Sequence, residues 1–340
     1  MTGHNSTAVS TTARYKQTRV WNRLREGWAG QLVRGFRGSK RELWAWWRCP
    51  QVLMPDVQQF ADALRIFGTP AAESPAGAGA GEAPIFLLST GWRAGSTLLQ
   101  RVLVTDPRLL LWGEPLGEMT LVSELAEMLS HSISPRNQQQ WRDQPDPASP
   151  RLSTAWVANL YPSGDDFRLA LRSLFGRWLC EPARQRGFAR WGFKEVRLGA
   201  TEASFLYWLY PNARFVTISR HPYDSYRSLA DANWGQVYYR YPDVPSESAA
   251  SFARHWNRLA ISWSRLPPEF PCIHIKYEDL IAGKVDFRKL ESWLGLEIRE
   301  HVALSASVGG TAKRAQLSWY ERWIIAREAA AGMKALGYQK

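Results

Sequence analysis

An apolar run, Ile85 to Ser89, leads straight into Thr90-Gly91-Trp92-Arg93-Ala94-Gly95-Ser96-Thr97-Leu98-Leu99, a glycine loop that opens a helix. Glycines at such a junction let successive backbone N–H groups turn toward an anion, and the helix start adds unpaired donors and partial positive charge. Ser96 and Thr97 supply hydroxyl donors. Arg93 places a cation inside the loop, where it can neutralise an oxygen bridging a phosphate and a transferring group. The loop is not G-x-x-x-x-G-K-[ST], because Gly95 directly precedes Ser96 with no lysine between them, and this disfavours ATP hydrolysis. A plain glycine turn with Ser96 as helix cap is the competing reading.

Two further groups belong to the same kind of edge. The run Arg214 to Ser219 is followed by Arg220-His221-Pro222, and Ser228 lies two helical turns beyond Arg220, near the same face, with Pro222 suited to a first helical turn. Open α/β sheets bind ligands at the carboxyl ends of their strands. A surface arginine and a buried serine explain that pair equally well in isolation. The run Leu109 to Trp112 ends in Gly113-Glu114-Pro115, which sets a carboxylate beside the glycine loop. Its rival role is to satisfy a nearby helix terminus.

Positioning these groups requires an α/β fold. Ile85–Ser89, Leu109–Trp112, Arg214–Ser219 and Cys272–Lys276 are the best strands, Trp191-Gly192-Phe193 reads as another, and helices start near Ser96, Thr201, Pro222, Ser248 and Ser318. Residues 1–13 read as a flexible tail and 14–69 as a basic, Trp-rich helical segment. Residues 70–84 read as a Pro/Gly/Ala linker, and 85–340 as the main domain. Within the second segment, Val20, Trp21, Leu24, Trp28, Leu32 and Val33 approximate one apolar helical face. Docking on the main domain is the plain reading of that face, and contact with a membrane surface through residues 14–48 is the sharper one.

Composition narrows the class. At 340 residues and 45% hydrophobic the chain is globular, and a formal net charge of +12 favours anionic partners. Cys49, Cys180 and Cys272 are too scattered for a disulfide framework or a zinc site, and neither an apolar leader nor a run of about 20 apolar residues is present. The expectation is a cytoplasmic enzyme, with membrane association as a further option, and no metal.

Taken together and in order, Arg93-Ala94-Gly95-Ser96-Thr97 and Arg220 to Ser228 resemble the sulfotransferase superfamily. Phe193-Lys194-Glu195, Tyr210-Pro211-Asn212-Ala213-Arg214-Phe215, Lys276-Tyr277-Glu278-Asp279-Leu280, Trp293-Leu294-Gly295-Leu296 and Leu336-Gly337-Tyr338 extend the resemblance across Ala83 to Tyr338. It is nearer the tyrosylprotein and bacterial branches than the cytosolic steroid and phenol enzymes. It implies a P-loop-like three-layer fold with a central parallel β-sheet flanked by helices, and a sulfuryl group moved from 3′-phosphoadenosine 5′-phosphosulfate (PAPS) to an acceptor hydroxyl.

Carried over by position, the resemblance implies that Arg93, Ala94, Gly95, Ser96 and Thr97 hold the 5′-phosphosulfate, although Ala94 stands where serine is usual. Arg220 and Ser228 hold the 3′-phosphate, Tyr277 meets the adenine, and Ser307 and Lys313 lie in a loop that closes over the nucleotide. Glu114, by its spacing from Arg93, resembles the family base, with Glu118 in reserve. Lys194 resembles the lysine that steadies the sulfuryl oxygens, its dull alternative being a pair with Glu195. The acceptor pocket is expected within residues 119–189 and around Trp234 to Tyr241. Carbohydrate or glycolipid comes first among acceptors, then a tyrosine or small phenol. Two other classes stay open: a P-loop kinase-like phosphotransferase, disfavoured by the missing loop lysine, and a basic nucleic-acid-binding protein, which leaves the ordered motifs unexplained.

Overall fold

The computed structural model describes residues 57–65, 83–114, 121–133, 138–139, 141, 144–231, 248–301 and 316–339. Five strands form one sheet: β1 (Ile85–Ser89), β2 (Leu109–Trp112), β3 (Arg190–Glu195), β4 (Arg214–Ser219) and β5 (Cys272–Lys276). Their spatial order is β2-β3-β1-β4-β5 and every neighbouring pair is parallel. All strand carboxyl ends therefore share one edge. The four strands read best from sequence keep those bounds. β3 extends beyond the Trp191-Gly192-Phe193 reading to include Lys194 and Glu195.

The helices are α1 (Val57–Leu64), α2 (Ser96–Leu103), α3 (Leu121–Ser130), α4 (Gly164–Phe175), α5 (Glu181–Gln185) and α6 (Ala200–Leu209). They continue with α7 (Pro222–Asp231), α8 (Ala249–Ser264), α9 (Tyr277–Ile281), α10 (Phe287–Leu294), α11 (Trp319–Glu328) and α12 (Ala330–Ala335). Strand side chains alternate in direction, so each strand serves two cores. Phe86, Leu88, Trp191, Phe193 and Phe215 pack on one face with α1, α3, α4 and α6. Ile85, Leu87, Leu109, Val216 and Ile218 pack on the other with α2, α9 and α10. The result is three layers, as the α/β reading expects. A third cluster joins Trp92 and Val196 to α8, α11 and α12.

Phe60 and Leu64 of α1 are fully buried in the first core, so the end of the segment expected to precede the main domain is part of its packing. The helical face read from Val20 to Val33 lies outside the described residues. Gly192 sits in the middle of the sheet opposite Ile85, and a Cβ there would stand 1.8 Å from the Ile85 carbonyl oxygen, which admits only glycine.

Between α2 and β2, the buried Asp106 carboxylate accepts from Arg108 Nη2 at 2.6 Å and from the backbone N–H groups of Arg108 and Glu297, each at 2.8 Å. Burial pushes its pKa up, but these bonds outweigh it and hold the group at about 2. A depressed carboxyl stabilises the fold above its unfolded value near 3.8 and loses that contribution as pH falls toward 2. Asp106→Asn should cost about 2 kcal/mol at neutral pH and lower the melting midpoint by roughly 3 °C. The gap from the unaltered protein should close as thermal unfolding is followed from pH 4 to pH 2. A gap independent of pH would show that charge at Asp106 is irrelevant.

Candidate active site

The shared carboxyl edge collects groups from every strand. After β1 the chain reverses through three left-handed residues, Gly91 at φ 121°, Arg93 at φ 63° and Gly95 at φ 92°, before α2 begins. Arg93 is the one non-glycine residue with positive φ among the described residues. Such backbone costs on the order of 1–3 kcal/mol and persists where neighbours enforce it. Here Ser89 Oγ donates to the Gly91 carbonyl at 2.8 Å, and the Thr90 N–H reaches Ile218 O on β4 at 3.1 Å. Gly95 caps α2 without a side chain that takes its first N–H groups, and Thr90 Oγ1 is buried with no hydrogen-bond partner. The loop is thus a cradle of donors around a fixed cation.

Arg220, at the end of β4, lies over the Tyr277 ring, 4.3 Å from guanidinium carbon to centroid, and donates through Nη1 to Arg93 O at 3.2 Å. Arg93 Nε donates to Ser228 Oγ at 3.0 Å. The glycine loop and the Arg220–Ser228 motif, separated by more than a hundred residues, therefore touch directly. Tyr277 joins them from below: a Cβ on Gly95 would stand 2.2 Å from its ring. Gly95→Ala should accordingly cost on the order of 1–2 kcal/mol of stability, by straining a left-handed residue and displacing the tyrosine that supports Arg220. Thermal unfolding checks this, and an unchanged melting midpoint would show that the loop tolerates repacking.

On the other flank, Glu114 follows β2 and Lys194 ends β3. Lys194 Nζ, almost fully buried, donates to Glu114 Oε1 in a close ion pair, and the Lys194 N–H donates to Gly113 O at 3.2 Å. Lys194 thus takes Glu114 as partner. Buried Glu195 instead accepts from Arg197 Nη2 at 2.9 Å and from the Val196 N–H at 2.8 Å. β2 is an edge strand and is secured from outside. Gln100 Nε2 donates to Leu111 O at 2.9 Å and Trp112 O at 3.2 Å. Trp112 Nε1 donates to Leu179 O at 3.0 Å in a π-helical turn, Gly176–Cys180. These ties set the point at which Glu114 leaves the strand.

The contacts of two residues escaped sequence reasoning, although Tyr338 stood in a motif already singled out. His255 on α8 is buried, tilts against Trp92 at 5.0 Å between centroids, lies beside Gly91, and has an Nε2 with no partner. Burial holds its pKa well below the ordinary value, reinforced by Arg258 and Arg197, so the imidazole is neutral. The next residue, Trp256, donates Nε1 to Arg220 O at 3.1 Å, so adjacent residues of α8 brace both anion motifs. The second residue is Tyr338. Its phenol meets Ser219 Oγ at 2.8 Å and donates to Glu278 Oε2 at 3.0 Å, while Glu278 Oε1 accepts from the His221 N–H at 2.8 Å. Burial pushes the Tyr338 pKa strongly up, and Glu278 adds to that despite the opposing Ser219 bond, so the phenol stays protonated. The only available signal was helical periodicity, which puts His255 and Trp256 on the inner side of α8.

Ala94 and Ser96 are buried and Thr97 is exposed at the start of α2. Ser307, Lys313, Glu118 and Trp234 to Tyr241 lie outside the described residues. No helix among the described residues is long and apolar enough to cross a membrane.

A sequence profile described as "Sulfotransferase family" matches residues 84–300. No curated protein matches the chain. Among solved structures it is similar to "Sulfotransferase Domain from the Curacin Biosynthetic Pathway", at 15% identity, a TM-score of 0.41, and coverage of 76% of this chain and 98% of that one.

Proposed function

Since the chain belongs to the sulfotransferase family, we propose that it transfers a sulfuryl group from PAPS to an acceptor hydroxyl, with Glu114 as general base. The observation that carries this reading is the row Glu114–Lys194, Arg93 and Arg220–Tyr277 along a single sheet edge, which offers a base and two linked anion sites in one line.

In this reading the loop N–H groups, Ser96, Thr97 and Arg93 hold the 5′-phosphosulfate, and Arg220 with Ser228 holds the 3′-phosphate. PAPS supplies an activated sulfuryl group joined to a phosphate leaving group. Lys194 turns from Glu114 toward the sulfuryl oxygens when the donor binds, which frees the carboxylate. Glu114 then takes the acceptor hydroxyl proton as the acceptor oxygen bonds to sulfur and the bond from sulfur to the phosphate oxygen breaks. Arg93 neutralises the charge that grows on the departing phosphate, as positioning and electrostatics do in phosphoryl transfer. Ser307 and Lys313 complete the nucleotide cover.

A carbohydrate or glycolipid hydroxyl is the proposed acceptor. Trp141 and Tyr161 lie 5.3 Å apart between centroids and Trp156 is 75% exposed, all in the β2–β3 connection. Aromatic faces of this kind suit sugar rings. A cytoplasmic setting belongs to the same proposal.

Calorimetric titration with 3′,5′-ADP, and with ATP lacking magnesium, tests the donor assignment. Binding of 3′,5′-ADP alone is expected. Failure to bind it would remove the PAPS reading.

A further inference from the structure

Helix α11 is apolar on two opposite sides. Ile324 and Ile325 are buried against α8, whereas Trp319, Tyr320 and Trp323 stand outward at 80%, 41% and 51% exposure. An amphipathic helix buries one apolar face, so a second apolar face is left uncovered, and contiguous exposed aromatics mark an interaction surface. The three rings form one stripe, with Trp319 and Tyr320 6.1 Å apart and Tyr320 and Trp323 6.2 Å apart.

The charge around the stripe is net positive. Arg322 is exposed, and the exposed Arg327 lies over the Trp323 ring at 5.6 Å. Two acids face three arginines: Glu321 bonds Ser318 at the helix start, and the single carboxylate of Glu328 is shared by Arg254 at 3.0 Å and Arg327 at 3.6 Å. Residues 302–318, which lead into the helix, include Lys313 and Arg314 and no acid. A sugar-stacking platform needs open, nearly coplanar rings. Here Trp319 stands at 84° to Tyr320, and Trp323, which meets Tyr320 at 35°, is already covered by Arg327. Indole and phenol rings beside arginines that can reach headgroup phosphates match the interfacial zone of an anionic bilayer instead.

We propose that the outer face of α11, through Trp319, Tyr320 and Trp323 with Arg322 and Arg327, docks the protein on anionic lipid surfaces. The surface does not depend on the transfer chemistry. Tyr226 of α7 contacts Glu321 Oε1 at 3.4 Å, so the helix that carries Ser228 is one contact from the docked face.

The test is co-sedimentation of the full chain with phosphatidylcholine vesicles, with and without phosphatidylglycerol. Binding to the anionic vesicles is expected, falling at least about tenfold for the Trp319→Ser/Trp323→Ser double variant with 3′,5′-ADP binding retained. Arg322→Glu should weaken binding on anionic vesicles, and it keeps the test open if the double variant fails to fold. The proposal is overturned if the unaltered chain ignores anionic vesicles. It is equally overturned if folded variants bind as well as the parent, which would move the contact to residues 14–48. A dimer that dissociates on substitution, with no vesicle binding, would assign the face to a second copy.

Discussion

Glu114→Gln is expected to lower turnover by roughly 10²–10⁴ while leaving the affinity for 3′,5′-ADP nearly unchanged. The amide keeps the size of the side chain but loses the charge that pairs with Lys194 and the basicity needed to take the hydroxyl proton. The proposed donor site draws on residues after β1, β4 and β5, whereas Glu114 follows β2, so the two readouts should separate. Lys194, nearly buried, is left without its carboxylate partner, so part of the fall belongs to the lysine. Lys194→Met alone distinguishes the contributions. Turnover close to that of the unaltered protein in Glu114→Gln would remove the glutamate from the reaction, and single-turnover kinetics with a saturating acceptor is the measurement.

Arg220→Ala should act in the opposite way, raising the dissociation constant for 3′,5′-ADP roughly 10–100-fold with a smaller effect on turnover at saturating donor. Three contacts end together: the guanidinium over Tyr277, its bond to Arg93 O, and the charge offered to the 3′-phosphate in the proposed complex. Arg220→Lys should recover little, because an ammonium cannot lie flat on the ring and donate sideways at once. Comparing 3′,5′-ADP with 5′-AMP locates the loss. If both ligands weaken equally, Arg220 acts through the loop rather than on the 3′-phosphate.

Strands were legible because a parallel sheet covered on both faces turns each strand into a short unbroken apolar run, as in IFLLS and RFVTIS. β3 was fainter, since Gly192 interrupts it and Lys194 and Glu195 close it with charge. Only the structure shows that Ile85 O leaves no room for any other residue at position 192. The glycine loop and Arg220 were legible as motifs, whereas their direct contact through Arg93 and Ser228 was not, because side-chain reach across two elements leaves no local trace. His255 and Trp256 were hidden for the same reason: their partners, Trp92 and Arg220, lie on elements far away in sequence. α1 fell within the stretch 14–69 read as helical, but its place in the main core was not legible, because its core partners come after a Pro/Gly/Ala stretch that reads as a boundary.

The order β2-β3-β1-β4-β5 carries an evolutionary corollary. The three strands that hold the linked arginine motifs are contiguous, while the longest excursion of the chain between neighbouring strands, from β2 to β3, hangs off the opposite margin. Within it α3 and α4 belong to the core beside Phe86 and Phe215, but residues 144–163 hold no buried side chain, so selection can rewrite that stretch by insertion, deletion or exchange at little cost to the arginine half. The same partition suits a chimera experiment: residues 144–163 are the part to graft between relatives, and in the proposed function the hybrid should keep its donor from one parent and take its choice of hydroxyl from the other.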